Sequence, residues 1–168
     1  MARVVFPSVL GYASGKAFPV GPSAGAVIAA RPPAQFFMVA WALLYILLGV
    51  AWAVLLADAE EADGVTNGWF ESAEERATFR MSLDLGVLAL NAMLVAWSAA
   101  YVQDKRSALF VLMTTVVALA VGLESLRAFG LWRAAVLLTP LFVWCGYASL
   151  LNYSEVNVES AIKSAAGK

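Results

Sequence analysis

In 168 residues the chain is 62% hydrophobic and 14% charged, with a formal net charge of −1; a soluble domain carries roughly a quarter charged residues, so water is excluded as its main solvent. No basic run exceeds Lys105-Arg106, which excludes the phosphate-neutralising arrays of a nucleic-acid-binding module. With no histidine and a single cysteine, Cys145, the chain lacks the commonest general base, an imidazole ligand for zinc or haem, and any intrachain disulfide or thiolate metal site.

The first residues form the weakest element. Lys16 divides them into uncharged pieces that also hold Pro7, Pro19 and Pro22, and neither piece is long enough to span a bilayer. Val4 to Gly15 predicts a short or partial helix and Phe18 to Arg31 an irregular lead-in; the other reading is a distorted fifth helix whose lysine snorkels. No clear cleavage site or transit-peptide pattern is present, so the segment is expected to stay on the mature chain.

Between Arg31 and Asp58 lie 26 uncharged residues, and a transmembrane helix follows directly. Three more uncharged runs predict three further spans: 19 residues between Asp84 and Asp104, 17 between Arg106 and Glu124, and 21 between Arg133 and Glu155. Continuous apolar runs are not the alternating pattern of barrel strands. The fold class is therefore all-α: a polytopic transmembrane bundle of four full spans plus a short or distorted N-terminal helix.

The connection from Asp58 to Arg80 carries seven acidic residues and reads as a solvent-exposed loop, with Gly64, Asn67 and Gly68 as turn formers and Trp69-Phe70 at the interface. Ser72 followed by Glu75 predicts a capping box opening the next helix. The remaining links, Gln103 to Arg106 and Phe129-Gly130, are tight enough to force antiparallel neighbours. The chain thus divides into a lead-in (1–31), a bundle (32–154) with its polar loop (58–80), and a C-terminal tail (155–168). Four spans put both termini on one side, with Arg3, Lys16, Arg31, Lys105, Arg106, Lys163 and Lys168, and the positive-inside rule favours a cytosolic location for them.

Arg31-Pro32-Pro33 opens the first full span and is followed at fixed spacing by Phe37, Trp41, Leu44, Tyr45 and Gly49. This run resembles the second helix of the tryptophan-rich sensory protein and translocator protein family (peripheral-type benzodiazepine receptor-like), with Leu48 where that family has methionine. Pro140, Trp144, Leu151 and Asn152 resemble its last helix, with Leu141 in place of a tyrosine; Trp97-Ser98 before Lys105-Arg106 resembles its Asn-x-x-Trp-Ser helix, with Leu94 at the asparagine position and Asn91 one turn earlier as a substitute. Gly21-Pro22-Ser23-Ala24-Gly25 stands where the family has an aromatic loop over its ligand. The resemblance covers about Pro32 to Asn152. It implies a five-helix bundle, commonly dimeric, with a cavity for tetrapyrroles or sterols that serves their transport, sensing or light-dependent breakdown.

The residues themselves leave two readings. Trp41, Tyr45, Leu48 and Trp52 form one helical stripe, and Pro140, Trp144, Tyr147 and Leu151 another; such stripes serve as packing and interfacial belts, or wall a pocket for a planar hydrophobic ligand. Pro140 predicts either a plain kink or a widened cavity. Asn91 and Asn152 seek interhelical hydrogen bonds or a ligand. Glu124 and Arg127 read as a headgroup-level pair or an ion relay. Val95, Tyr101 and Lys105 fit a cholesterol-type pattern, whereas no basic residue lies between Tyr153 and Lys163 to complete one on the last helix.

Two function classes follow. In one, Phe37, Trp41, Tyr45, Asn91, Trp97, Pro140, Trp144 and Asn152 bind a tetrapyrrole or sterol, held without covalent attachment, in a protein acting as a homodimer or within a larger membrane complex. In the other, the same bundle is a structural accessory subunit that has lost its ligand. An enzyme is a third class, in which reactivity would have to come from a bound, cofactor-like ligand. The lipid bilayer is a partner in each, and mitochondrial, plastid and bacterial membranes are not distinguished.

Overall fold

A computed structural model of the chain describes residues 1–20, 31–65 and 72–166, with side chains described to residue 61 in the second segment. They form five helices: α1 (Ala2–Ala17), α2 (Ala34–Val65), α3 (Ala73–Gln103), α4 (Lys105–Ala128) and α5 (Trp132–Ala166). Helices α2 to α5 are each long and apolar enough to cross a membrane. The 16 residues of α1 reach only about 24 Å, short of a hydrocarbon core of about 30 Å.

Helix α1 is nevertheless part of the bundle. It runs antiparallel to α2, seated where α2 offers a glycine: a Cβ at Gly49 would overlap the Val4 backbone, and one at Gly11 would overlap the Tyr45 ring. At its start, Arg3 donates to both Asp84 oxygens at 3.1 and 2.8 Å, and the Trp52 indole donates to the same carboxylate at 2.6 Å. The expected helix over Val4 to Gly15 is present and slightly longer. Most of the predicted irregular lead-in, including Gly21 to Gly25, and the Asn67 to Phe70 turn lie outside the described residues.

Two expectations are corrected. Arg3 sits at the α2–α3 loop end, because α1 adds an antiparallel pass, so it joins Arg76, Arg80, Arg127 and Arg133 and no longer shares an end with Lys105 and Lys163. The termini therefore do not share a side, and the basic excess behind the orientation argument narrows from seven against four to six against five. The 58–80 connection is largely helical: α2 continues to Val65 and α3 starts at Ala73, where the Ser72 hydroxyl accepts from the Glu75 N–H at 3.1 Å. Within it Asp58 is buried in an ion pair with Arg133, which also bonds Glu61 at 2.8 Å, so this carboxylate ties α2 to α5. The tail from residue 155 continues α5 as helix to Ala166.

The tight links have local causes. Asp104 ends α3 and caps α4, its carboxylate accepting from the Arg106 and Ser107 N–H groups at 3.3 and 2.8 Å and from the Ser107 hydroxyl at 2.6 Å. These donors, the Ser107 hydroxyl foremost, hold its carboxyl below the usual range. Helix α4 closes in a Schellman motif: Leu131 N–H bonds the Leu126 carbonyl and Gly130 N–H that of Arg127, with Gly130 at φ 73° and both leucines in the core.

Candidate functional site

The stripe Tyr45, Leu48, Trp52 on α2 faces inward as the spacing predicts, with Leu48 only 1% exposed. On α5 the buried face is one position away from the expected stripe. Ala134, Leu138, Leu141, Cys145, Ala148, Asn152 and Glu155 are buried at alternating intervals of four and three, whereas Trp144 and Tyr147 lie on the shoulder and Pro140 is exposed. Leu141, where the family has tyrosine, is thus a core residue.

Phe37, Trp41, Tyr45, Trp97 and Trp144 meet in one ring cluster. Trp41 stacks on Trp97 (centroids 5.2 Å, 27°), meets Trp144 edge-on (6.3 Å, 90°) and reaches Tyr45 at 5.9 Å; Phe37 lies 5.5 Å from Trp144. These separations are those at which aromatic pairs attract beyond simple burial. Hydrogen bonding is incomplete: the indole N–H groups of Trp41, Trp97 and Trp144 are all buried without a partner among the described residues. A buried, unpaired donor costs on the order of 1–3 kcal/mol, and all three belong to rings of this one cluster.

Below the rings, Phe37, Trp97, Ala148, Leu151 and Asn152 line a recess that also touches Val20, Arg31 and Tyr101 and has room for about one water molecule. Asn152 donates to the Lys105 carbonyl at 3.0 Å, the interhelical bond its position suggested, but its own oxygen is buried with no partner among the described residues. Asn91 and Pro140 do not belong here. Asn91 is buried and bonds back to the Val87 carbonyl at 2.9 Å, away from the recess lining, and Pro140 faces outward with the turn of α5.

The recess ends in a charged group that residue spacing alone did not reveal. Glu155, 1% exposed, accepts from the Tyr101 hydroxyl at 2.6 Å, forms an ion pair with Arg31, and lies 3.5 Å from the Lys105 ammonium. Arg31 also donates to the Tyr101 oxygen at 3.3 Å, and the Lys105 ammonium lies 3.2 Å from the Tyr101 ring centroid. Burial works against the Arg31 charge, but Tyr101 and Glu155 outweigh it and raise its pKa. Tyr101 and Lys105, read as a cholesterol-type pattern, are turned inward by this group and withdrawn from lipid. The missed signal was the α5 register, since the 3–4 spacing of buried positions that reaches Asn152 continues to Glu155.

A family model described as the TspO/MBR family matches residues 27–156, which takes in α2, α3, α4 and most of α5. No curated protein matches the chain.

Proposed function

The chain belongs to the TspO/MBR family and is an integral, multi-pass membrane protein; on that premise we propose that it binds, and passes on or senses, a planar hydrophobic ligand of tetrapyrrole or sterol type between α2, α3 and α5. The observation that carries this reading is that three rings meeting in one aromatic cluster, those of Trp41, Trp97 and Trp144, each bury an indole N–H that has no partner among the described residues. A packing belt needs the rings but gains nothing from buried donors without acceptors. A planar ligand with acceptor atoms at its edge would stack on the indoles and accept their hydrogen bonds. Because the recess admits about one water, such a ligand enters by parting the rings of α2 from those of α5.

The competing reading, an accessory subunit without a ligand, is supported by how closely the rings pack on one another. Titration of the purified protein with a porphyrin, followed by tryptophan fluorescence, separates the two. Saturable quenching that weakens in Trp41→Ala and Trp144→Ala supports binding. Absence of saturation, or affinity unchanged in both variants, favours the accessory subunit.

A further inference from the structure

Glu155 is a carboxylate enclosed at the end of a mostly apolar recess, with Arg31, Lys105 and the Tyr101 hydroxyl all turned toward it. Three elements converge there: the lead-in to α2 at Arg31, the α3–α4 junction, and α5. Arg31 and Lys105 share the Glu155 carboxylate, Glu159 also acts on Lys105, and neither Lys105 nor either glutamate lines the recess. Arg31 and Tyr101 do line it, beside Trp97 and Asn152, whose indole N–H and amide oxygen have no partner among the described residues. The charged group is therefore the polar end of the same space whose walls are aromatic.

We propose that Arg31, Lys105 and Tyr101 form a seat for a ligand carboxylate, and that Glu155 fills this seat in the free protein as an internal competitor. The inference rests on the binding reading above and narrows it to planar hydrophobes that carry an acid group. Arg31 offers a planar fork of N–H donors, Lys105 a point charge and Tyr101 one O–H, which suits a carboxylate and gives nothing to a neutral ester of the same shape. The ligand's acid takes over the donors now held by Glu155.

The full-length protein in detergent is titrated with protoporphyrin and, separately, with its dimethyl ester. The wild type is expected to prefer the acid, and Arg31→Gln to abolish that preference by weakening the acid alone. Removing the competitor in Glu155→Gln is expected to tighten the acid by about tenfold, roughly one charge-assisted hydrogen bond, while the ester changes by less than about twofold. Equal affinity of acid and ester in the wild type, or equal responses of both to Glu155→Gln, overturns the seat and leaves the aromatic site standing. Should Glu155→Gln fail to fold, the wild-type and Arg31→Gln titrations still decide. If neither probe binds the wild type saturably, the binding reading falls and the seat falls with it.

Discussion

The Tyr101 hydroxyl donates a 2.6 Å hydrogen bond to Glu155 across 54 positions of sequence, joining the end of α3 to α5 where α4 begins. Removing that donor in Tyr101→Phe leaves the carboxylate its two cations, and a loss of about 2 kcal/mol is expected, as for a hydrogen bond to a charged group. Glu155→Ala is expected to cost more, about 3–5 kcal/mol, because Arg31 and Lys105 are then left enclosed without their shared anion. Denaturant unfolding in detergent checks the order of the two; a milder effect for Glu155→Ala would contradict it.

Gly49 lets the backbone of α1 approach α2 at Val4. Gly49→Ala places a Cβ against that backbone and should destabilise the protein by about 2 kcal/mol, in the range of core overpacking. The effect should fall on one element: amide hydrogen exchange in α1 rises, while that of α4, which does not pack on α1, stays unchanged. A uniform rise across all helices would argue against Gly49 as the seat of α1.

At the same end of α1, Asp84 serves two donors, the Arg3 guanidinium and the Trp52 indole. Arg3→Ala removes a half-exposed pair partner and should cost at most about 1 kcal/mol. Asp84→Ala also strands the Trp52 N–H, adding about 1–3 kcal/mol. Thermal unfolding of both variants should therefore rank Asp84→Ala as the more damaging, and equal losses would count against the shared acceptor.

The Asp104 cap predicts a pH dependence of known sign. Its carboxyl is held below the usual carboxylate range by the Ser107 hydroxyl and the N–H groups of Ser107 and Arg106. The stability it contributes is fully present above the unfolded-state pKa, about 4, and is lost as pH falls through the lower folded-state value. Relative to Asp104→Asn, which keeps a capping oxygen but does not ionise, the wild type should hold a constant advantage above about pH 5 and lose it in more acid solution. An advantage that grows on acidification would contradict the assignment.

The four spans were legible because uncharged runs between Arg31, Asp58, Asp84, Asp104, Arg133 and Glu155 leave hydrocarbon few alternatives to helix. The ring cluster was legible through spacing and family register: Phe37, Trp41, Tyr45, Trp97 and Trp144 do meet. Charge was misread where it served the interior. Asp58, Asp84 and Glu155 look from composition like membrane-edge residues, yet each finds a cationic partner on another helix or lead-in, and such long-range pairs leave no local pattern. Pro140 lies apart from the ring cluster for a geometric reason: Trp144 lies one position off the buried face of α5, so a stripe drawn through it carries Pro140 outward.

The reading of the aromatic cluster as a binding site is tested most directly by the indole N–H proton resonances of the protein in detergent, before and after saturation with a porphyrin. Trp41, Trp97 and Trp144 have buried N–H groups with no partner among the described residues, whereas Trp52 already donates to Asp84 and Trp132 is exposed. Binding should move the first three resonances, as their donors acquire acceptors and their rings a stacked neighbour, and leave those of Trp52 and Trp132 nearly in place. Movement of Trp132 alone, as for a porphyrin adsorbed at the surface, or no movement in the three cluster indoles, would contradict the binding site.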